Sequence, residues 1–247
     1  MSYGSNALRT ADEVNASGLD YYALYTVFAR TGGAGQAAAQ SADHHGTTDA
    51  AADEFTALVE ALDADGVTLR GTYDVSGMRA DADVMTWLTG HTPEKLQAAL
   101  RRLRRTGLLA KTTIVFSAMG VHRTAEFNTR HVPAFALGVD PEDWLVVYPF
   151  NRSYDWYLMD PAKRGAMLRH HGQLGQEYPT VLANTTSAFA LNDWEWMLAL
   201  EAPELTDLVD MMRRLRESEA RYHVRDETPF YTGRRLKAAA EIAEVLQ

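Results

Sequence analysis

The stretch VMTWLTGHTPEKLQAALRRLRR (residues 84–105) decides the fold class of this chain. Its β-branched and aromatic beginning predicts a strand over residues 84–88. Thr92 then provides a helix cap, Pro93 occupies the first helical position, and the helix is predicted to run to about Thr106. A strand followed directly by a helix is typical of a mixed α/β domain with one shared core.

The same order returns about 110 residues later in WEWMLALEAPELTDLVDMMRRLR (residues 194–216). In both copies an aspartate precedes a proline by ten residues, Asp83 with Pro93 and Asp193 with Pro203, and both helices carry Arg-Arg-Leu-Arg. Self-similarity at this period indicates two copies of one βαββαβ-like unit. A chance resemblance between two arginine-rich helices stays open as the alternative.

Hydrophobic periodicity predicts the remaining elements. The expected strands are 19–30, 68–75, 112–119, 144–148, 180–191, 194–200 and one near Phe230, and the expected helices are 57–65, 161–178 and 203–220. The predicted fold class is therefore α+β, with two tandem ferredoxin-like halves. Residues 1–18 are expected to be a flexible tail, followed by an N-terminal half (19–135) and a C-terminal half (136–247).

Residues 32–53 form an Ala-, Gly-, Gln- and Ser-rich segment that is expected to be a loop. It contains the adjacent pair His44 and His45. Such a pair fits a metal site as well as an exposed loop, and the loop is the favoured interpretation.

Composition excludes several classes of function. The chain has 247 residues and no cysteine, so disulfides, thiolate metal sites and cysteine nucleophiles are ruled out. A net charge of −9 predicts repulsion from nucleic acid and from anionic membranes. No segment reaches the roughly 18 apolar residues of a membrane span, and the amino terminus lacks a secretory signal, which predicts a cytoplasmic protein.

The helix that begins at Asp160-Pro161 carries the most informative local pattern. Asp160 is a suitable cap and Pro161 fits the first turn. One helix face is formed at positions i, i+4, i+7 and i+11 by Met167, His171, Leu174 and Tyr178. His171 is thus presented to an apolar interior, while His170 points elsewhere. Two interpretations stay open for His171: a core histidine bonded to a carbonyl, or the axial ligand of a haem-type iron.

A second candidate group lies where the two halves meet. Residues 122–135 are unusually rich in polar side chains for a segment that follows a strand. In the next predicted strand, Tyr148 shares a face with Trp144 and Val146. Tyr148 is interpretable as a core tyrosine or, beside an oxidising metal, as a one-electron relay.

Five motifs together resemble the coproheme decarboxylases, which are chlorite-dismutase-like haem synthases, in their actinobacterial form. The motifs are His122–Phe135, Tyr148-Pro149-Phe150, Arg169-His170-His171-Gly172, Asn192-Asp193-Trp194-Glu195-Trp196 and Glu227–Gly233. The resemblance covers about residues 19–235. It implies a fold in which the two halves form a dimeric α/β-barrel, with haem bound by the C-terminal half.

The resemblance also implies an activity. The family decarboxylates two propionates of iron coproporphyrin III (coproheme) with hydrogen peroxide and yields haem b, so the substrate is also the redox centre. It implies that His171 is the proximal iron ligand, that Tyr148 carries the radical that attacks a propionate, and that His131 is the base for peroxide. A neutral imidazole is suited to bind iron, a phenol is suited to carry a radical, and a histidine is suited to act as a base near neutral pH.

Three further residues are expected to bind the porphyrin. Arg152 matches a lysine that other branches place near a propionate, with Arg123 and Arg130 as further basic candidates. Trp156 is a propionate contact or a packing residue. Asn184 stands where chlorite dismutases keep an arginine and firmicute relatives a glutamine, so it is either a polar substitute in the pocket or simply a strand residue. The missing arginine argues against chlorite decomposition.

The remaining expectations concern partners and alternatives. The resemblance implies a homopentamer, with a possible transient contact with coproporphyrin ferrochelatase. The alternatives are a haem b peroxidase or chlorite dismutase of the same fold, or a non-catalytic haem carrier. A carrier would need His171 but neither Tyr148 nor His131.

Overall fold

The computed structural model describes residues 8–31, 44–124 and 131–247, with the side chains of 44–48 outside the description. These residues form two compact units. Unit 1 comprises the described parts of Asp20–Met119 and Gly233–Gln247, and unit 2 those of Ala7–Leu19 and Gly120–Thr232.

The helices of the described residues are α1 (Ala11–Ala16), α2 (His44–Ala64), α3 (Pro93–Leu103), α4 (Pro161–Gly175), α5 (Leu205–Leu215) and α6 (Ala239–Val245). The strands are β1 (Tyr22–Arg30), β2 (Val67–Asp74), β3 (Val84–Gly90), β4 (Thr112–Val121), β5 (Trp144–Arg152), β6 (Leu182–Ser187), β7 (Trp196–Ala202), β8 (Val224–Asp226) and β9 (Tyr231–Leu236). Two short 3₁₀ turns, Trp156–Leu158 and Glu219–His223, complete the set. None of the described helices combines the length and the apolar composition needed to cross a membrane.

Unit 1 is an antiparallel sheet with helices packed on one face. Its strand order is β4-β1-β3-β2-β9, and Leu88 of β3 lies opposite both Leu24 and Leu69. These leucines belong to a single cluster of 19 buried apolar residues to which α2, α3 and α6 contribute. Gly66, with φ +81°, allows the chain to turn sharply from α2 into β2.

Unit 2 has the strand order β6-β7-β5-β8, again antiparallel. The strand β5 pairs with β7 from Trp144 opposite Ala202 to Phe150 opposite Trp196. Helices α4 and α5 pack together through Leu174, Met211 and Leu215. Around α4 and α5, buried apolar residues form several small clusters, with polar side chains between them.

Several predicted elements are confirmed. Helix α3 begins at Pro93 after Thr92, and α4 begins at Pro161 with the Asp160 carboxylate accepting from the amides of Ala162 and Lys163, both at 3.0 Å. The polar segments were predicted less well. Helix α2 begins at His44, so 44–53 are helical and not loop, because alanine is the strongest helix former; residues 32–43 lie outside the described part.

The predicted tail (1–18) contains a helix. In α1 the Thr10 hydroxyl accepts from the Glu13 amide and the Glu13 carboxylate accepts from the Thr10 amide, which is a capping box. The structure groups Ala7–Leu19 with unit 2 and Gly233–Gln247 with unit 1, so the compact units and the predicted halves differ at these segments. The duplication of a ferredoxin-like half stays a prediction.

Candidate functional site

All six candidate residues of the sequence analysis lie in unit 2. His171 occupies the buried side of α4, four residues after Met167 and three before Leu174, both of which are buried. His170 is exposed, as predicted from the helix face. His171 therefore lies between two small apolar clusters, one around Trp156 and Met167 and one around Leu174.

The environment of His171 keeps its imidazole neutral. Burial first, and then the positive charge of Arg152 and of two other histidines, lowers its pKa to about 4. The buried Nδ1 atom has no hydrogen-bond partner among the described residues. A buried ring nitrogen without a hydrogen-bond partner costs free energy unless a bound ligand supplies the missing contact. Such unpartnered atoms are rare in the cores of native proteins.

Arg152 is the last residue of β5, and its guanidinium is held between two aromatic rings. Its Cζ lies 4.2 Å from the centroid of the Trp156 ring and 4.8 Å from that of Phe150. Burial lowers its pKa to about 10, while the nearby Tyr157 and Glu195 raise it. Within the described residues the guanidinium forms no ion pair, so its donors remain available to an anionic ligand.

Tyr148 lies in the middle of β5 and packs with Val146 as the strand alternation predicted. Its ring stacks on Phe230 with centroids 4.5 Å apart, and its hydroxyl donates to the sulfur of Met212 at 3.5 Å. Burial, followed by the negative charge of Glu227, raises the pKa of Tyr148 well above its usual value. The phenol is therefore protonated at physiological pH and has only a weak acceptor.

Trp156 is buried and packs against Met167 of α4, and the Arg152 guanidinium stacks on its ring. Its ring also lies 5.4 Å from that of His223. Trp156 is thus a packing residue in this structure and also the surface on which Arg152 rests, which leaves both sequence interpretations in place.

His131 is the first described residue of unit 2 after the undescribed residues 125–130. Its residue surface is exposed to solvent, and the surrounding protein lowers the pKa of its imidazole. Its charge acts on both His171 and His122. Arg130 lies outside the described residues, and Arg123 is exposed and donates to the carbonyl of His122 at 3.1 Å.

The side-chain amide of Asn184 is hydrogen-bonded to protein groups. It is fully buried in β6, where its Oδ1 accepts from the Phe135 amide at 2.9 Å. Its Nδ2 donates to the Ala199 carbonyl at 3.1 Å and to Oε1 of Glu201 at 2.9 Å. These bonds tie the segment after His131 to the sheet, and the cofactor-binding role of Asn184 stays a prediction.

The sequence analysis missed a group of charged residues near Tyr148. Arg216 and Arg221 both pair with Oε1 of Glu227 at 2.7 Å, and all three charges act on the Tyr148 phenol. Arg216 also lines a cavity of about 340 Å³ together with Phe230. Glu227 stands in a quoted motif, whereas the arginines resemble ordinary exposed helix residues, so the sequence offered no signal for them.

Comparisons with known proteins place the chain in a family. The family model described as chlorite dismutase matches residues 48–236. The chain is 47% identical over 194 residues to the coproheme decarboxylase of Mycolicibacterium smegmatis, covering 78% of this chain and 84% of that protein. It is 23% identical to the coproheme decarboxylase of Staphylococcus carnosus over 65% of this chain and 70% of that protein.

Solved structures match over most of the chain. A variant of chlorite dismutase from Candidatus Nitrospira defluvii superposes with a TM-score of 0.74 at 21% identity, covering 92% of this chain and 95% of that one. The same enzyme in complex with imidazole gives a TM-score of 0.74 at 19% identity and the same coverage. The chlorite-dismutase-like α+β fold predicted from the sequence is confirmed.

The chain belongs to the chlorite dismutase family. Within that family it is similar to proteins named coproheme decarboxylase, so the resemblance drawn from the five motifs is confirmed. The residues of unit 2 fit an iron porphyrin with carboxylate substituents. His171 offers a neutral imidazole with an unpartnered buried nitrogen, and Arg152 offers unpaired guanidinium donors.

Proposed function

We propose that this protein catalyses the peroxide-dependent oxidative decarboxylation of two propionates of coproheme to vinyl groups, with haem b as the product. The observation that carries the proposal is the placement of a neutral histidine, an unpaired arginine and a protonated tyrosine in one unit: His171, Arg152 and Tyr148. Similarity to the Mycolicibacterium smegmatis protein supports the same activity. When bound, coproheme supplies the iron and the macrocycle through which peroxide oxidises the propionates.

His171 and Arg152 bind and orient the substrate in this proposal. The neutral His171 imidazole holds the iron, because a protonated ring has no lone pair left to donate. Arg152 binds a propionate through charge-assisted hydrogen bonds, for which its fork of N–H groups is suited. The Trp156 ring beneath the guanidinium fixes its orientation and restricts access of water.

His131 acts as the base that accepts a proton from hydrogen peroxide. The lowered pKa keeps its imidazole neutral at physiological pH, so the ring is ready to take that proton. Its accessibility to solvent lets peroxide approach. We expect the rate of the peroxide step to fall as pH drops through the lowered pKa of His131.

Tyr148 is the hydrogen acceptor for the propionate. Its raised pKa keeps the phenolic proton in place at rest, and the weak Met212 contact does not compete strongly for it. After one-electron oxidation the phenol releases this proton and takes a hydrogen atom from the propionate side chain. Carbon dioxide then leaves as the resulting propionate radical gives up a second electron, so one hydrogen peroxide, reduced to two water molecules, accounts for the two-electron oxidation of each propionate to a vinyl group and carbon dioxide.

The assembly and location follow from the resemblance. We propose a cytoplasmic homopentamer that takes coproheme as substrate and redox cofactor, uses hydrogen peroxide as co-substrate and contacts coproporphyrin ferrochelatase transiently. A size-exclusion and light-scattering measurement tests the pentamer directly.

The proposed reaction is tested by titrating ferric coproheme-loaded protein with hydrogen peroxide and recording porphyrin masses. We expect a three-propionate intermediate followed by haem b. Porphyrin bleaching with both masses absent contradicts the proposal and favours a peroxidase or a carrier. In Tyr148→Phe we expect coproheme to bind and decarboxylation to stop, whereas the matched Tyr22→Phe change on β1 in unit 1 leaves product formation intact.

A further inference from the structure

Strand β5 ends at Arg152 with an interrupted ladder. Its pairing with β7 stops at Phe150 opposite Trp196, and its pairing with β8 shifts register between Asn151 and Arg152. The backbone that carries Arg152 therefore has no β7 partner and is paired with β8 only after a register shift, unlike the residues earlier in β5. Another contact has to set its direction.

Glu195, the residue before β7, supplies that contact. Its Oε2 accepts from the backbone amide of Arg152 at 2.8 Å, and its own amide donates to Oδ1 of Asn151 at 2.8 Å. These two side-chain bonds connect both residues to the chain just before β7, where the β5–β7 pairing has ended. They reach across 43 and 44 positions of the sequence.

The same carboxylate is held from its other side. The Tyr157 hydroxyl donates to Glu195 Oε2 at 2.9 Å, and the Trp196 indole donates to the Tyr157 oxygen at 2.9 Å. Oε2 thus accepts from both Arg152 and Tyr157. A carboxylate with two fixed donors has little rotational freedom, so it is a rigid anchor for the end of β5.

Glu195 binds the backbone of Arg152 and leaves its guanidinium free. An ion pair with the guanidinium would occupy the donors that an anionic substrate needs, and no such pair occurs among the described residues. The carboxylate still lies near enough to favour the charged form of Arg152. It therefore supports a half-buried cation without competing for its hydrogen bonds.

We infer that Glu195 is a positioning residue for carboxylate recognition, which holds Arg152 so that its guanidinium stacks on Trp156 and presents its donors to a substrate carboxylate. The inference rests on the proposed function for the identity of the substrate. It assigns Glu195, with Tyr157 as its support, to the selection of porphyrins that carry free carboxylates.

The test is binding of metal-free coproporphyrin III and of its tetramethyl ester, followed by fluorescence. Without iron, His171 ligation does not mask the carboxylate contribution. We expect Glu195→Ala to weaken binding of the free acid about tenfold, the equivalent of one charge-assisted hydrogen bond. The affinity for the tetramethyl ester should change by less than about twofold, far less than the tenfold change expected for the free acid.

A double-variant cycle separates positioning from a direct contact. If Glu195 acts through Arg152, the Glu195→Ala change adds nothing once Arg152→Ala is present. Additive losses contradict the inference. Glu195→Gln keeps an oxygen acceptor for the Arg152 amide and should restore most of the affinity for the free acid; affinity as low as in Glu195→Ala also contradicts it.

Two controls keep the outcomes distinct. Glu54 accepts from the Gly107 amide at 2.7 Å in unit 1, so Glu54→Ala removes a comparable contact away from the site and should leave binding unchanged. If Arg152→Ala retains the preference for the free acid, the propionate-binding role in the proposed function is wrong. If Glu195→Ala retains the preference for the free acid and Arg152→Ala loses it, the positioning inference is wrong and the proposed function stands.

Discussion

The two units differ in how apolar residues pack beneath their helices. In unit 1, α2, α3 and α6 contribute to one cluster of 19 buried apolar residues. In unit 2 the clusters around Tyr148, Trp156 and Leu174 contain five, three and three buried residues. Titratable side chains, above all His171 and Arg152, lie between these small clusters. Dividing the apolar residues beneath the helices in this way gives up packing in order to place polar groups, as functional sites commonly do.

The largest expected effect concerns two matched leucines, one in each unit, and it tests this comparison directly. Leu62 in unit 1 and Leu174 in unit 2 are both buried. Removing a leucine side chain costs more where the surroundings cannot relax, so we expect Leu62→Ala to lower the free energy of unfolding by about 4 kcal/mol and Leu174→Ala by about 2 kcal/mol. Urea denaturation measures both, and equal losses would mean that the two cores are packed alike.

Asn184→Ala should destabilise the protein by about 2–3 kcal/mol, because it removes the buried hydrogen bonds of the Asn184 amide with the Phe135 amide, the Ala199 carbonyl and Glu201. Asn192, whose side chain accepts from the nearby Trp194 amide, is the control, and its change to alanine should cost less than about 1 kcal/mol. Loss of porphyrin affinity in folded Asn184→Ala, with stability unchanged, would return Asn184 to the binding site.

The pH dependence of stability tests whether His171 is buried in its neutral form. Its pKa is about 4 in the folded state and near 6.5 when unfolded, so between these values the unfolded chain binds the extra proton. Stability therefore falls as pH drops from about 6.5 to about 4. His171 should account for about 2 kcal/mol of this loss, a value reduced for its partial exposure.

Thermal unfolding of wild type and His171→Ala at pH 7 and pH 4.5 measures this contribution. The difference between the two proteins isolates His171, because His122 and His131 also have lowered pKa values and remain in both. An identical pH slope in the variant would show that His171 is not buried in its neutral form.

The sequence predicted what local patterns determine. Asp160-Pro161 predicted the start of α4, and helical spacing separated the buried His171 from the exposed His170. The capping box at Thr10 was equally local and was missed, although its spacing was readable.

What the sequence did not predict depends on contacts between distant residues. Glu195 meets Arg152 and Tyr157 across 43 and 38 positions, and Asn184 meets Phe135 across 49. No local sequence pattern distinguishes an asparagine side chain that faces a ligand from one that is hydrogen-bonded to neighbouring strands. That is why the sequence left Asn184 open between the pocket and the strand and assigned Glu195 no role.

The central claim is that the region between the small apolar clusters of unit 2 holds coproheme through His171. Its most direct test is the absorption and electron paramagnetic resonance spectrum of ferric coproheme bound to wild type and to His171→Ala, with and without added imidazole. We predict a histidine-ligated spectrum in wild type, its loss in His171→Ala and its recovery with imidazole. Identical spectra for the two proteins without imidazole would contradict the claim.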